Sequence, residues 1–343
     1  MITYYYSKDN GSSYVSSTSN TYTFNGLDMG TEYSFSVYVE DSEGYASKAY
    51  TLSETTDDKP PTFADTCRET GSNTLACYVA MQYTTDGENG LYYHDCQGNY
   101  TNVDQEAEDN SYRYSGENPN NYVCFGSDAT TCPSDNLYRI IGIFNDTEEY
   151  RTKLIKKDNY ATGSLWSVDQ NIVWNSTNKP IIYDSLNNIF NNYISNSWKD
   201  LIADNIWMVG EIDYNNLYTV KQFYDMEVKD VPNRYEETMK IGLMYVSDYG
   251  YAASPENWNL PLASYSDSLP NWLIYSMTNW VEWTISYNNL NTVFGINSNG
   301  NVNIINTYYN MTNLSINRPC FYLNSDVTYV SGSGTESDPI RIN

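Results

Sequence analysis

Hydrophobic and polar residues alternate at a period of two through Tyr33-Ser34-Phe35-Ser36-Val37-Tyr38-Val39, the spacing of a half-buried strand. Upstream, Tyr4-Tyr5-Tyr6 and Tyr14-Val15 flank Asn10-Gly11, a pair suited to a type I′ hairpin because both residues tolerate positive φ. Thr21-Tyr22-Thr23-Phe24 supplies another short run of the same kind. Residues 1–58 therefore predict a small all-β module. The polar, proline-stiffened segment Asp57-Asp58-Lys59-Pro60-Pro61-Thr62 then predicts a linker over 59–66.

Beyond the linker the period changes. Leu75 to Gln82 predicts a short helix and Leu91-Tyr92-Tyr93 a strand, both inside a mostly polar, cysteine-containing extension, 67–120. The most hydrophobic runs of the middle, Asn121-Tyr122-Val123-Cys124-Phe125 and Leu137-Tyr138-Arg139-Ile140-Ile141-Gly142-Ile143-Phe144, predict paired central strands, and Lys153-Leu154-Ile155 a third. With Asp184 as N-cap, apolar residues at 186, 189, 190, 193, 194, 198, 201 and 202 predict a helix from Ser185 whose stripe, Phe190, Tyr193 and Trp198 included, packs on a sheet. Ile241 to Val246 reads as a strand that leaves through Ser247-Asp248-Tyr249-Gly250-Tyr251. Every tryptophan lies at Trp166 or later, which places the principal core there.

Composition narrows the compartment. The 343 residues carry a formal charge of −25, which offers neither a phosphate backbone nor an anionic headgroup a basic counter-surface. Nucleic acid is thereby excluded as a partner, and no apolar run is long enough for membrane insertion. The 36 tyrosines, with frequent Asn and Ser, suit an extracellular β-rich surface where a ring packs and its hydroxyl stays wet. Six cysteines, at 67, 77, 96, 124, 132 and 320, allow fifteen pairings. Cys124 and Cys132 are the expected disulfide, because the strands flanking them should pair; the connectivity of the others stays open. His94 is the single histidine and there is no C-x-x-C, so no metal, cofactor or nucleophile–base pair is expected and the chain does not read as an enzyme. Asp104-Gln105-Glu106-Ala107-Glu108-Asp109 lacks the spacing of a calcium loop and reads as a solvated charge run.

Two resemblances organise these pieces. Leu27 through Gly30-Thr31-Glu32-Tyr33, then Val37-Tyr38-Val39-Glu40-Asp41 and Gly44, resembles the second half of a fibronectin type III domain. That resemblance implies a tyrosine-corner role for Tyr33, its hydroxyl bonding back to the backbone, and a sandwich whose first strands have no sequence to occupy them, so residue 1 is expected to fall inside a domain. From about 121 to 343 the order of motifs resembles an uncharacterised bacterial surface domain: Arg139-Ile140-Ile141-Gly142, the helix after Ser185, Met244-Tyr245-Val246-Ser247-Asp248-Tyr249-Gly250-Tyr251, Trp283, the Asn299-Gly300 turn, Arg318-Pro319 and the Gly332 to Pro339 closing stretch. It is similar in turn to the C-type-lectin-like fold of formylglycine-generating-type enzymes and retroelement-diversified variable proteins.

The expected fold class is thus α+β, a truncated β-sandwich module followed by a C-type-lectin-like domain over 67–343. The resemblance implies that Trp283 and Arg318-Pro319 sit on adjacent antiparallel strands of one sheet, with the Asn299-Gly300 hairpin projecting from it and Trp198 buried. The calcium-lectin tripeptides and the paired copper-binding cysteines of those relatives are missing, since Cys320 stands alone. What remains is a ligand-displaying face in the final sheet, with Phe294, Ile296, Val302 and Ile304 turned inward and Tyr287, Asn289, Asn291, Asn303, Asn306, Tyr308, Tyr309 and Asn313 as candidate ligand residues. The expectation is a secreted or cell-surface adhesion protein of a Gram-positive-type bacterium that binds a protein or glycan. The alternatives are a retroelement-diversified variable protein or a purely structural stalk subunit.

Overall fold

The computed structural model describes residues 2–97, 104–146, 149–159, 161–162, 165–167, 174–213, 215–229, 235–275, 280–289, 292–306 and 315–343. The chain divides into two units, Met1–Thr62 and Phe63–Asn343. Helices and sheets are both present, so the class is mixed α+β.

The first unit is one antiparallel sheet in the order β2-β1-β3-β4, built from β1 (Thr3–Ser7), β2 (Val15–Ser17), β3 (Glu32–Glu40) and β4 (Tyr50–Thr55). Asn10 and Gly11 do take positive φ (56° and 83°), but Tyr6 pairs with Val15, so they sit in a longer loop than a two-residue hairpin. Asp9 organises that loop by accepting the Ser13 N–H at 2.9 Å. The Tyr33 hydroxyl accepts the Asp28 N–H at 2.9 Å, a bond back to the upstream backbone. Residues 21–24 form no strand; Tyr22 instead stacks on Tyr6, and Phe24 packs at a tilt against Phe35. Together with Val37, Tyr50 and Leu52 they line an apolar groove of about 510 Å³.

The second unit begins with α1 (Phe63–Thr70), which starts inside the stretch read as linker, and α2 (Leu75–Ala80), joined to it by a Cys67–Cys77 disulfide. Then come β5 (Leu91–His94), β6 (Ser111–Tyr114), β7 (Tyr122–Cys124), β8 (Leu137–Asp146), β9 (Glu149–Lys156) and β10 (Ala161–Thr162). The helices α3 (Ile181–Tyr193) and α4 (Asn196–Lys199) lead to β11 (Asn205–Met208), α5 (Val220–Tyr224), a π-helical turn (Asp225–Lys229), β12 (Glu236–Met239) and α6 (Val246–Tyr251). The closing strands are β13 (Val281–Asn289), β14 (Thr292–Asn297), β15 (Val302–Asn306), β16 (Ser315–Asn317), β17 (Cys320–Tyr322), β18 (Tyr329–Ser331) and β19 (Arg341–Ile342).

Two larger sheets result. One is six-stranded, ordered β17-β9-β8-β6-β5 with β7 also on β8; the other is five-stranded, ordered β10-β16-β13-β14-β15. The expected pairing of β7 with β8 is present, the third expected strand, β9, lies on β8 as well, and a disulfide joins Cys124 to Cys132.

The closing strands depart from expectation. Residues 283–286 and 318–323 do not share a sheet: β16 runs parallel to β13, with Glu282 opposite Ile316, whereas Cys320, Phe321 and Tyr322 pair with Ile155, Leu154 and Lys153 of β9. Arg318-Pro319 is the crossover between the sheets. Pro319 has no N–H to give, and it precedes β17, the outermost strand of its sheet. The arrangement implied by the C-type-lectin-like resemblance is therefore not the one found. Nor does the Asn299-Gly300 turn project. Gly300 is buried at φ 86°, and a Cβ there would meet the Ser266 backbone at 2.6 Å.

The helix begins at Ile181 after Pro180, so Asp184 lies in its first turn and not at its cap. Ile182, Leu186 and Ile189 are its buried stripe and Phe190 is partly buried, but Tyr193 is 65% exposed, a correction that follows from the helix ending there. Trp198, on α4, is buried against Phe125, beside the six-stranded sheet.

Candidate functional site

The predicted ligand face can be followed only in part. Asn291, Tyr308, Tyr309 and Asn313 lie outside the described residues, as do the side chains of Asn289 and Asn306. Tyr287 is buried at 4% exposure, its ring against Trp166, because β13 is covered on both faces; it is not an outward residue. Asn303 is half-buried and donates to Asn301 at 2.7 Å, so its amide is already engaged. Phe294, Ile296 and Val302 point into the core as expected, while Ile304 is 37% exposed. Trp283, Arg318 and Pro319 are core residues, and Tyr33 is structural in the first unit.

A different constellation gathers where β6, β8 and β9 meet β11, the π-helical turn and α6. There a cleft of about 260 Å³ is lined by Arg113, Phe144, Lys153, Tyr224, Tyr245, Asp248 and Tyr322, with Asn145, Asp146, Asn205, Ile206 and Glu236 among its other residues. A wider hollow of about 670 Å³ lies beside the Cys124–Cys132 loop, but none of its charged side chains is buried.

Strand register explains the floor of the cleft. Tyr322 on β17 stands directly opposite Lys153 on β9, so both project to one face. Lys153 lies within ring range of Phe144, Trp207, Tyr245 and Tyr322, at 5.6, 5.2, 4.7 and 5.1 Å from their centroids. Its ammonium donates to Asp248 Oδ2 at 2.6 Å. Arg113 on β6 lies over Phe144, Tyr224 and Tyr251, donates Nη2–H to Asp109 at 2.6 Å and Nε–H to Ser111 at 2.8 Å.

Electrostatics follow from these partners. Burial is the largest influence and works against the Lys153 charge, but Asp248, Cys320 and Tyr245 together overcome it and leave the ammonium above its ordinary value. Burial alone would raise Asp109; Arg113, His94 and the Ser111 bonds overcome it and hold the carboxyl at about 2. Glu227, on the π-helical turn, accepts the Val246 and Ser247 N–H groups at 2.8 Å each and is bonded by the Ser286 hydroxyl. Burial nonetheless pushes it up to about 7. His94 is fully buried, accepts the Ala107 N–H through Nδ1 at 3.0 Å, and is pushed down to about 3 by burial and then by Arg113.

None of Arg113, Lys153, Glu227 or Asp248 stands out in the sequence as a site residue. One signal was present: Arg113 stands between Tyr112 and Tyr114 in a strand, where a charge cannot be hidden unless a partner waits for it, whereas Lys153 follows Arg151 and Thr152 and carries no such signal. Among the described residues no group of three His, Cys, Asp or Glu side chains could hold a metal ion. No described helix is long and apolar enough to cross a membrane. Compared with known proteins, the chain matches no family model, no curated protein and no solved structure.

Proposed function

We propose that this protein is a secreted or cell-surface recognition protein whose larger unit takes a glycan residue in the cleft between β8, β11 and α6. The observation that carries the reading is the chemical make-up of that cleft. Its walls are aromatic (Phe144, Tyr224, Tyr245, Tyr322) and its further lining is amide and carboxylate (Asn145, Asp146, Asn205, Glu236). A sugar ring offers apolar C–H faces that suit aromatic walls and hydroxyls that suit amide and carboxylate oxygens. Apart from Lys153 and Asp248, which engage each other, the lining holds three carboxylates, Asp109, Asp146 and Glu236, against one cation, Arg113, which favours neutral over acidic sugars. Two disulfides support an oxidising compartment for the reading.

The test uses Ile206, which is 49% exposed and lines the cleft. Ile206→Arg should place a long side chain across the opening without disturbing the core. Against an array of neutral and acidic glycans, the wild type is expected to select neutral ones and the variant to lose at least about tenfold in affinity, about 1.4 kcal/mol. Binding equal in both proteins would remove the cleft from recognition.

A further inference from the structure

We propose that Lys153 and Asp248 condense to an intramolecular amide, a covalent cross-link between β9 and α6. The two side chains are 1% and 3% exposed and Nζ stands 2.6 Å from Oδ2. An oxygen at that distance brings the carbon it is bonded to within about 3–3.5 Å of the nitrogen, the range of a near-attack geometry. Among the described residues this is the one lysine–carboxylate pair so enclosed. In every other such pair the lysine side chain is at least 22% exposed. The buried Arg318–Glu282 pair has comparable burial, but a guanidinium does not give up its proton and so cannot act as a nucleophile.

Both reacting groups are held still. Lys153 lies on an interior strand with β8 on one side and β17 on the other. Asp248 is fixed in the first turn of α6, where its Oδ2 also accepts the Tyr245 N–H at 2.8 Å. The rings of Phe144, Trp207, Tyr245 and Tyr322 surround the Lys153 ammonium. Fixed orientation is worth effective molarities of about 10⁵–10⁸ M toward the rate of such a step. The buried ion pair carries a desolvation cost that a neutral amide does not.

The ion pair already contains every atom the step requires. A proton passes along the existing hydrogen bond from Nζ to the carboxylate, leaving an amine beside a carboxylic acid. The nitrogen lone pair then attacks Cγ, the new C–N bond forms, and a C–O bond breaks. Of the three ammonium protons one remains on the amide nitrogen and two depart with the carboxylate oxygen as water. No oxidant, reductant or activating group enters.

The experiment is intact-mass measurement of the full chain, folded and stored at neutral pH, then denatured and reduced, followed by tryptic mapping. The expected mass is lower than that of the sequence by one water, trypsin fails to cut after Lys153, and the Lys153 and Asp248 peptides appear as one branched species. Lys153→Arg should show the full sequence mass. A wild-type mass equal to that of the sequence, with cleavage after Lys153 and both peptides recovered separately, overturns the proposal. A water deficit mapped to any other position overturns it equally, and both outcomes are read on the wild type even if the variant does not fold.

Discussion

Arg318 and Glu282 form a buried bidentate pair, Nε to Oε1 at 2.7 Å and Nη2 to Oε2 at 2.8 Å, at the point where the chain leaves one large sheet for the other. The same Nη2 reaches the Leu273 carbonyl at 2.6 Å. Burial raises the Glu282 carboxyl, and Arg318 acts against that rise. The pair therefore fixes the crossover at Arg318-Pro319, which lies between β16 and β17.

Removing one member leaves a buried charge without its partner. Glu282→Ala is expected to cost about 3–5 kcal/mol, seen as a lower urea midpoint for the larger unit with an unchanged slope. A midpoint equal to wild type would show that the guanidinium finds water when the carboxylate is gone.

Gly242 lies beneath the indole of Trp207, where an added Cβ would meet ring carbons at 2.7 Å. It also exchanges two backbone hydrogen bonds with Cys320, at 2.8 and 2.9 Å, so the backbone has little room to move away. Gly242→Ala should destabilise by about 1–3 kcal/mol through overpacking. Trp207 fluorescence would report the displacement, and an unchanged spectrum with unchanged stability contradicts it.

The six cysteines should divide into three chemical classes. Cys96 is exposed and free and should react with a thiol reagent in the native protein. Cys320 is buried and its thiol is pushed up to about 12, so it should react only after unfolding. The remaining four are in disulfides. Replacing Cys124 and Cys132 by serine opens a short loop and should cost about 2–3 kcal/mol. Two reactive thiols in the native state would refute the burial of Cys320.

Stability should depend on pH through Glu227. Its folded carboxyl is raised to about 7 from an ordinary 4.5, so the native state holds more protons than the unfolded chain between those values. Stability from this group is present below about pH 4.5 and is lost as pH rises through 7, by about 3 kcal/mol in full. His94 opposes it: held down at about 3, it favours the native state more as pH rises toward 6.5. The two slopes offset each other in the wild type, so the comparison is with Glu227→Gln, which keeps the His94 contribution and lacks the titrating carboxyl. The stability of the wild type minus that of the variant should fall steadily from pH 4.5 to 7. A constant difference across that range excludes the titration.

Local pattern determined much of this protein. The alternation in residues 33–39, the adjacent hydrophobic runs at 121–125 and 137–144, and the short loop between Cys124 and Cys132 each concern residues close in sequence, where period, turn chemistry and short loop closure decide the outcome. The same holds for the apolar stripe of α3. Which sheet receives 315–317 and which receives 320–322 was decided by pairings with strands far upstream, and Pro319 with Arg318 permits a crossover as readily as a bulge. Burial of Tyr287 likewise depends on what covers the second face of β13. The cleft is the clearest case: Lys153 and Asp248 are 95 residues apart, and nothing local to either announces the other. A buried charge requires a partner, but only the tertiary fold supplies its identity, because the low dielectric that makes the pairing obligatory exists only once the chain has closed around it.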